Sequence, residues 1–573
     1  MTPIATSEIP PESLPLRHRI LVPEKVSADG LALLTPHYDV DVKIGLSAED
    51  LNSIIRDYHG LIVRSETKVT PEILQAGKNL KVVARAGVGV DNINVPAATT
   101  QGIIVINSPA GNILAAAEHT LALLLATARN IGRADGTIKE GKWERSKLVG
   151  VEVGRKMLGI VGLGKVGLNV ARMAKGLGMT VKAVDPYASA DMARQAGVEL
   201  VPSLKELLPQ VDFLTIHTPL LATTMDLIGE NELKTMKKTA RVLNVARGGV
   251  YNEAALLKAL EEGWIAGAGL DVFTAEPLTT DSIAAQLARH PKTVATPHLG
   301  ASTVEAQENV SMDVCTQMLE ILRGGLPTSA VNAPIILPEE YRKLQPAVQL
   351  VEKMGRLYTQ HFAKAKGGMI GDRKFELIYH GDLAGMPNTK PLFAALIKGL
   401  VASFSDSHVN IVNAALIAKE KGIIINETHA HQSKDLTYSN LVTLKSIADG
   451  RDGGKTEQII EGYAGSDKRV YISKLDRFNA TFNPEGSLII LHNYDEPGKI
   501  GGVGMVLGSH GINIRYMQVA GLNAEARHGQ NTPPTQKDNE ALMILGVDGE
   551  VDAKVLEALR KSEGVLDVSL VQL

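Results

Sequence analysis

Cysteine is almost absent from this chain of 573 residues, which contains only Cys315. A single cysteine forms no internal disulfide and no structural zinc cluster, so both devices are excluded as sources of stability. An unpaired thiol is usual in proteins of reducing compartments. We therefore expect Cys315 to fill the hydrophobic core, and we expect the protein to be cytoplasmic.

Long apolar runs and an excess of one charge are also missing. No segment is long and apolar enough to span a bilayer. Residues 1–17 carry Glu8 and Glu12 and resemble neither a secretory signal nor an Arg-rich transit peptide, so we predict a disordered arm. The 60 Lys and Arg residues and 63 Asp and Glu residues are interspersed and give a net charge of −3, which argues against nucleic-acid binding.

The length and the alternation of apolar runs indicate several α/β domains. A chain of this size exceeds what a single hydrophobic core organises. Thr70-Pro71-Glu72 has the cap, proline and acid of a helix start, and Gly102 marks a helix end. Because strands that alternate with helices form parallel sheets, we predict the α/β class with doubly wound sheets. The first strands are expected at 19–22, 60–63, 81–84 and 103–106.

A glycine-rich turn lies between a predicted strand at 156–161 and a predicted helix at 166–175. Its sequence is Gly162-Leu163-Gly164-Lys165-Val166-Gly167. In such a turn the first glycine permits the bend, the second lets the backbone approach a pyrophosphate, and the third lets the helix pack closely. The next strand ends in Asp185, which is placed to bind ribose hydroxyls and favours NAD over NADP. The alternative is an ordinary strand-to-helix loop.

Three separated polar residues follow three later predicted strands: Arg247, Glu276 and His298. Ligands of parallel sheets bind where such strands end. Oxidation of an alcohol beside a carboxylate needs a base, a role that histidine fills near neutral pH, while a neighbouring carboxylate orients the imidazole. Arginine pairs with the substrate carboxylate. Each residue alone has a structural explanation, but the ordered set behind a nucleotide turn indicates a hydride-transfer site.

These motifs resemble those of the D-isomer-specific 2-hydroxyacid dehydrogenases. The resemblance is carried by the glycine turn and by Ala246-Arg247-Gly248-Gly249, Ala275-Glu276-Pro277 and Pro297-His298-Leu299-Gly300-Ala301. It implies a flavodoxin-like substrate domain, 18–118 and 302–330, into which a Rossmann NAD domain, 119–301, is inserted. It also implies catalytic roles for Arg247, Glu276 and His298. The implied cofactor contacts are Val88, Gly162, Gly164, Lys165, Val166, Gly167, Asp185, His217, Thr218, Pro219, Val245, Ala246, Arg247, Asp271, His298, Gly300 and Ala301.

The first domain carries candidates for substrate binding. Arg64-Ser65 and Arg85 follow predicted strands, and the amides after Arg85 are suited to a carboxylate. The alternative for the two arginines is a pair of surface ion pairs. Residues 141–145 resemble a segment of phosphoglycerate dehydrogenases whose arginine enters the neighbouring subunit's site, which implies a homo-oligomer, a dimer or a tetramer. The predicted substrate contacts are Arg64, Ser65, Arg85, Val88, Gly89, Asn112, Arg145, Arg247 and His298.

Residues 331–573 extend beyond the two dehydrogenase domains. Residues 331–484 contain Val409-Asn410-Ile411-Val412-Asn413, a run that resembles the intervening domain of the long-form phosphoglycerate dehydrogenases. This resemblance implies that residues 331–484 form an α+β domain.

Residues 485–573 have the βαββαβ order of an ACT domain. The resemblance implies an amino-acid site at Asn493, Asp495 and Asn513, with L-serine as the natural effector. The alternative is an ACT dimer without ligand control. The polar insertion at 524–538 is predicted to be a flexible loop.

The resemblance to the long-form family implies NAD-dependent oxidation of 3-phospho-D-glycerate to 3-phosphohydroxypyruvate, the first step of the phosphorylated route to L-serine. Two other functions remain open. A glyoxylate or hydroxypyruvate reductase of the same family would use unphosphorylated substrates and leave Arg85 and Arg145 without a role. A corepressor-like interaction protein gated by NAD would act through partners, and the amino-acid module argues against it. No metal site is expected.

Overall fold

The structure, a computed structural model, describes residues 17–334, 336–363, 373–405, 408–430, 440–449, 455–467, 469–522 and 539–573. Residues 1–16 of the predicted arm and the predicted loop at 524–538 lie outside the described residues. Within the described part, the strands form four sheets. None of the described helices combines the length and the apolar character that a membrane crossing requires.

The first sheet contains the strands β1 (Arg19–Val22), β2 (Asp39–Val42), β3 (Gly60–Val63), β4 (Val82–Arg85) and β5 (Ile104–Asn107). They pair in parallel in the flavodoxin-like order β2-β1-β3-β4-β5. A parallel sheet that is covered on both faces needs apolar residues on both, which explains the uniformly apolar runs of β1, β3, β4 and β5. The helices of this part are α1 (Ala28–Leu34), α2 (Ala48–Ile54), α3 (Pro71–Ala76) and α4 (Val95–Thr100).

The second sheet contains β6 (Met157–Val161), β7 (Thr180–Val184), β8 (Glu199–Leu200), β9 (Phe213–Ile216), β10 (Arg241–Asn244), β11 (Gly267–Leu270) and β12 (Thr293–Ala295). All pairs are parallel, and the order β12-β11-β10-β9-β6-β7-β8 reverses direction between β6 and β9. This is the doubly wound order, and ligands bind at such a reversal. Its helices are α5 (Ile113–Ala128), α6 (Ile131–Lys139), α7 (Lys165–Gly176), α8 (Ala190–Gln195), α9 (Leu204–Leu207), α10 (Glu230–Thr235), α11 (Glu253–Glu261) and α12 (Ile283–Arg289).

Helix α13 (Val304–Leu322) returns the chain from the second sheet to the first. It packs against α1, and a Cβ at Gly30 would lie 2.9 Å from the Ser311 carbonyl carbon, so the two helices approach closely. Cys315 of α13 is buried in this core, as the sequence predicts, and burial raises the pKa of its thiol to about 12. The NAD-type sheet is therefore inserted within the chain of the first domain.

The third sheet contains β13 (Lys374–His380), β14 (Ile424–Ala430), β15 (Leu441–Asp449), β16 (Lys455–Ala464), β17 (Val470–Leu475) and β18 (Phe478–Phe482). Only the β13–β14 pair is parallel in the order β14-β13-β15-β16-β17-β18. The sequence of residues 348–362 predicts a helix. Helix α14 (Pro338–Tyr358) begins earlier, because Pro338 suits the first turn of a helix, and a π-helical turn, Thr359–Ala363, follows it. The other helices are α15 (Lys390–Val401) and α16 (Ala414–Glu420).

The fourth sheet contains β19 (Ser487–Tyr494), β20 (Asn513–Gly521), β21 (Glu540–Asp548) and β22 (Val565–Gln572). It is antiparallel, with the order β20-β21-β19-β22. Helices α17 (Lys499–Ser509) and α18 (Ala553–Arg560) complete the predicted βαββαβ order. The predicted fold class is thus confirmed for all four parts of the chain.

Candidate active site

The glycine turn begins where β6 ends. Gly162 has a φ of +92°, and a Cβ there would lie 2.8 Å from the His217 carbonyl oxygen, so glycine is required. A Cβ at Gly167 would overlap the Gly162 carbonyl oxygen, so this glycine lets α7 pack directly against the turn. A Cβ at Gly164 would meet no described protein atom within 4 Å, so packing within the protein does not require that glycine.

Asp185 follows β7 and lies beside the glycine turn. Its Oδ2 accepts a hydrogen bond from the Leu163 amide at 2.7 Å, and its Oδ1 accepts one from the Tyr187 amide at 2.8 Å. These two bonds fix the carboxylate at the start of the turn. This is the strand end at which the sequence predicts the acid that binds the ribose.

His298 and Glu276 form a direct pair. His298 Nδ1 lies 2.7 Å from Glu276 Oε2, and Glu276 Oε1 accepts a hydrogen bond from the Phe273 amide at 2.9 Å. Burial works to raise the pKa of Glu276, but the hydrogen bonds from His298 and Phe273 outweigh it and hold that pKa below its usual value. When the N–H at Nδ1 donates a hydrogen bond to Glu276, Nε2 carries the free lone pair and is the nitrogen that can accept a proton. The pair therefore has the arrangement of an oriented general base.

The loop that carries His298 is anchored by Asp271, a fully buried residue after β11. Asp271 Oδ1 accepts hydrogen bonds from the Thr296 hydroxyl at 2.6 Å and from the Leu299 amide at 2.7 Å. Its Oδ2 accepts a hydrogen bond from the Gly300 amide at 2.8 Å. The His298 amide donates to the Asp271 carbonyl at 2.9 Å. His298 itself has a φ of +55°, a left-handed conformation that is unfavourable for a non-glycine residue and that these bonds hold in place.

His119 of α5 extends this network. Its Nε2 lies 3.1 Å from Asp271 Oδ1 and 3.0 Å from Thr296 Oγ1. Burial works to raise the pKa of Asp271, whereas the hydrogen bonds from His119, Thr296 and Leu299 lower it, and the net result is a lowered pKa. Because α5 connects the first sheet to the second, the loop that carries His298 is tied to the segment that joins the domains.

Arg247 follows β10 and reaches the first domain. Its Nε lies 3.2 Å from Asp91 Oδ2, and its carbonyl accepts a hydrogen bond from the Asn244 side chain at 2.8 Å. A Cβ at Gly89 would overlap the Arg247 guanidinium, so a residue larger than glycine would displace it. Arg247 thus lies in the cleft between the two parallel sheets, beside the turn 86–91 that was predicted to bind substrate.

Arg85 ends β4 and lies in the same charged region. Burial and the charge of Arg247 lower its pKa to about 10, whereas Asp91 and Glu24 raise it, so the side chain remains a cation at neutral pH. Its Nε is buried and has no hydrogen-bond partner among the described residues. Arg64, at the end of β3, also contributes positive charge at this position. The predicted arginines of the first domain and Arg247 therefore share one cleft.

The other candidates for cofactor contacts lie at the carboxyl ends of the second sheet. Burial lowers the pKa of His217 to about 4, so its imidazole is neutral at pH 7, and Thr215 Oγ1 lies 3.1 Å from its Nε2. Thr218 Oγ1 is buried without a hydrogen-bond partner in the described part of the chain. The residues that follow β9, β10 and β12 are His217, Thr218, Pro219, Val245, Ala246, Gly300 and Ala301.

Four predicted residues outside this cleft have different surroundings. Arg145 is exposed in a short 3-10 turn, Arg145–Lys147, between α6 and β6. In the fourth sheet, Asn493 is buried with 3% exposure, and its Oδ1 has no partner among the described residues. Asn513 is exposed and donates to Asp548 at 3.3 Å, while the Asp495 amide donates to the Asn539 carbonyl at 2.8 Å.

Sequence reasoning missed Glu24, Asp91 and His119 as members of the site. Glu24 follows β1, so the rule that ligands lie at the ends of parallel strands, applied to β1, would have indicated it. Asp91 lies in the turn that was already predicted to bind substrate. His119 stands on a largely apolar helix that also carries Glu118 and Thr120, so its sequence position does not single it out, and only the contact with Asp271 reveals its place.

Two parallel α/β domains, a dinucleotide-type glycine turn, and a His–Glu pair with an arginine at neighbouring strand ends define a class of enzyme. The chain is an NAD-dependent dehydrogenase of 2-hydroxy acids. Residues 121–300 match the family "D-isomer specific 2-hydroxyacid dehydrogenase, NAD binding domain". Residues 343–469 match the family "D-3-phosphoglycerate dehydrogenase intervening domain".

Known proteins resemble the chain over most of its length. A D-3-phosphoglycerate dehydrogenase from Synechocystis sp. is 41% identical over 97% of this chain and 95% of that protein. The chloroplastic D-3-phosphoglycerate dehydrogenase 2 of Arabidopsis thaliana is 42% identical over 94% of this chain and 84% of that protein. A crystal structure from Thermus thermophilus has a TM-score of 0.50 and 33% identity, covering 55% of this chain and 99% of that chain. The chain belongs to the D-3-phosphoglycerate dehydrogenase family.

Replacing Asp271 by asparagine should damage both stability and catalysis, because an amide nitrogen would then face backbone and hydroxyl donors. We expect the free energy of unfolding to fall by about 1–3 kcal/mol and kcat to fall by about tenfold or more. Thermal unfolding and steady-state kinetics measure the two effects. The matched control is Asp212→Asn, because Asp212 accepts a hydrogen bond from the Met157 amide at 2.9 Å at the amino ends of β6 and β9, whereas the site lies at the carboxyl ends. The control should lose stability but keep kcat, and equal loss of kcat in both variants would contradict the role of Asp271.

Proposed function

We propose that His298, Glu276 and Arg247 carry out the NAD-dependent oxidation of 3-phospho-D-glycerate to 3-phosphohydroxypyruvate, the first step of the phosphorylated route to L-serine. The observation that carries the proposal is the 2.7 Å contact between His298 Nδ1 and Glu276 Oε2, at a strand end close to that of Arg247. Full-length relatives bear the name D-3-phosphoglycerate dehydrogenase, which supports the choice of substrate.

The residues of the glycine turn fit a dinucleotide. Gly164 has no packing reason to be glycine, Asp185 is fixed beside the turn, and Thr218 has a buried hydroxyl without a protein partner in the described part. These features suit a pyrophosphate, a ribose and further polar groups of NAD. A dinucleotide held by these residues would supply the acceptor for the hydride of the alcohol carbon.

The proton and the charges are handled by side chains of the protein. His298 Nε2 accepts the hydroxyl proton as the carbon–oxygen double bond forms, and Glu276 stabilises the imidazolium that results. Arg247 pairs with the substrate carboxylate. In the reverse direction the imidazolium returns the proton to the ketone oxygen.

The first domain is proposed to bind the phosphate. Arg85 carries a buried Nε without a protein partner in the described part, and Arg64 and Ser65 stand at the next strand end. Two guanidinium groups and a hydroxyl suit a phosphate group. A glyoxylate or hydroxypyruvate reductase would leave these cations without a ligand, so the charge of the cleft favours the phosphorylated substrate.

Replacing His298 by alanine removes the base and should lower kcat by about 10²- to 10⁴-fold, while the affinity for NADH stays unchanged. NADH formation from 3-phosphoglycerate, with a trap for the ketone, measures turnover, and NADH fluorescence measures binding. The control is His290→Ala in the same domain, which should keep kcat. Turnover by wild-type protein with hydroxypyruvate or glyoxylate but not with 3-phosphoglycerate would assign the chain to the reductases, and undiminished turnover in His298→Ala would reject the base.

We also propose a homo-oligomer in which Arg145 contacts the substrate phosphate in the neighbouring subunit. The segment around Arg145 exposes large apolar side chains that a second copy of the chain would cover. Their exposures are 55% for Ile131, 55% for Ile138, 83% for Trp143 and 80% for Val149. Arg145 is itself exposed and lies in the same segment of the chain, between Trp143 and Val149.

Complementation tests this arrangement. Arg145→Ala has an intact His298, and His298→Ala has an intact Arg145, so a mixed oligomer contains one site with both groups. We expect co-expressed variants to regain turnover with a KM for 3-phosphoglycerate about tenfold below that of Arg145→Ala alone. Co-expression of Arg145→Ala with the double variant is the control and should give no gain. A monomer in solution, or the absence of complementation, would contradict the proposal.

The fourth sheet is proposed as an ACT domain with an amino-acid site for L-serine at Asn493, Asp495 and Asn513. Asn493 supports this most directly, because its buried Oδ1 has no partner among the described residues. A buried acceptor of this kind suits an ammonium group.

L-serine at millimolar concentration should then inhibit turnover, and Asn493→Ala should abolish that inhibition without changing the uninhibited kcat. The measurement is NADH formation across a series of L-serine concentrations. D-serine is the ligand control and should have no effect. Activity of the wild-type protein that is insensitive to L-serine would leave this domain a structural dimerisation module.

Cytoplasm is the compartment that we propose. The single thiol of Cys315 supports a reducing environment, because it is buried and unpaired. The chloroplastic relative from Arabidopsis thaliana marks a plastid as the alternative location for proteins of this type.

A further inference from the structure

Glu24 is a buried carboxylate that the dehydrogenase chemistry does not use. It follows β1 at the carboxyl edge of the first sheet and is 5% exposed. Its Oε1 accepts hydrogen bonds from the Arg64 amide and the Thr67 amide, both at 2.9 Å, and its Oε2 accepts the Glu66 amide at 3.1 Å. A buried carboxylate is tolerated when it is paired in this way, so these three bonds define its place.

The segment that Glu24 binds, residues 64–67, is held from a second direction by Asn92. The Asn92 Nδ2 donates to the Arg64 carbonyl at 2.9 Å and to the Thr67 carbonyl at 2.7 Å. Glu24 therefore satisfies the amides of this loop while Asn92 satisfies its carbonyls. The loop contains Arg64 and Ser65, two of the residues proposed to bind the phosphate.

These contacts also determine how an anion can bind at the loop. Three neighbouring amides are a common binding site for phosphate, but here the Glu24 carboxylate occupies them. A phosphate at this loop must then be held by side chains. Glu24 also places a carboxylate near the cations of Arg64, Arg85 and Arg247. Asp91 is a second carboxylate in the same region.

We propose that Glu24 is a positioning residue for phosphate recognition: it fixes the backbone of residues 64–67 so that Arg64 and Ser65 reach the substrate phosphate with their side chains. This inference rests on the proposed function, because it requires a phosphorylated substrate in the cleft. It gives Glu24 a role in substrate selection and none in proton or hydride transfer.

Glu24→Gln is the direct test, because glutamine keeps the shape but turns an NH₂ group toward an amide donor. We expect the KM for 3-phosphoglycerate to rise by about tenfold or more, whereas kcat and the KM for NAD change by less than about twofold. In the reductive direction, the kcat/KM ratio for 3-phosphohydroxypyruvate over hydroxypyruvate should fall by a similar factor. This ratio isolates the phosphate, since both substrates share every other group.

Two further variants separate positioning from general damage. Glu232→Gln is the matched control, because Glu232 accepts the Gly229 amide at 3.0 Å in the second domain, far along the chain from residues 64–67. It should lower stability without moving the KM for 3-phosphoglycerate. Asn92→Ala releases the loop from the other direction and should reproduce the selective rise in KM even where Glu24→Gln folds poorly.

These experiments distinguish a failure of the role proposed for Glu24 from a failure of the proposed function. Wild-type protein that does not oxidise 3-phosphoglycerate would overturn the function and this inference together. Wild-type turnover with an unchanged KM in folded Glu24→Gln, or equal losses on phosphorylated and unphosphorylated ketones, would overturn the role of Glu24 alone.

Discussion

The buried carboxylate of Asp271 is the interaction on which the site depends. A charge without solvent is unstable unless donors surround it, and Thr296, Leu299 and Gly300 supply them. The same bonds fix the loop that holds His298 in a left-handed conformation, with its imidazole 2.7 Å from Glu276. The hydrogen bonds that one buried carboxylate requires thereby set the geometry of the His298–Glu276 pair.

Charged groups that balance one another also determine the structure of the cleft on the side of the first domain. Cations from the ends of β3, β4 and β10 meet there, and the carboxylates of Asp91 and Glu24 partly balance them. Each carboxylate binds a neighbouring element as well as reducing the repulsion among the arginines. The positive charge that these two carboxylates leave unbalanced makes the cleft favourable for an anionic ligand.

The C-terminal half is attached to the first domain through the edge strand β5. The Asn332 side chain accepts the Val105 amide at 2.9 Å and donates to the Ile103 carbonyl at 2.9 Å, which covers part of that edge. The Asn410 side chain of the third domain donates to the Gly102 carbonyl at 2.6 Å. Asn410 belongs to the run 409–413, which sequence reasoning could assign only by resemblance, and its contact joins the third domain to the domain that carries Arg64 and Arg85.

The sequence by itself determined the features that depend on local chemistry. The apolar runs of the parallel strands, the glycine geometry after β6, and the polar residues at strand ends are all readable within short windows. Beyond β13, the strands of the third sheet and the edge strand β2, where polar and apolar residues mix, were not predicted. Only the tertiary structure decided the partners of the site, because they are remote in sequence: Glu24 and Arg64 are separated by 40 positions, His119 and Asp271 by 152, and Asp91 and Arg247 by 156. Such contacts form when complete sheets pack together, and no local pattern encodes them.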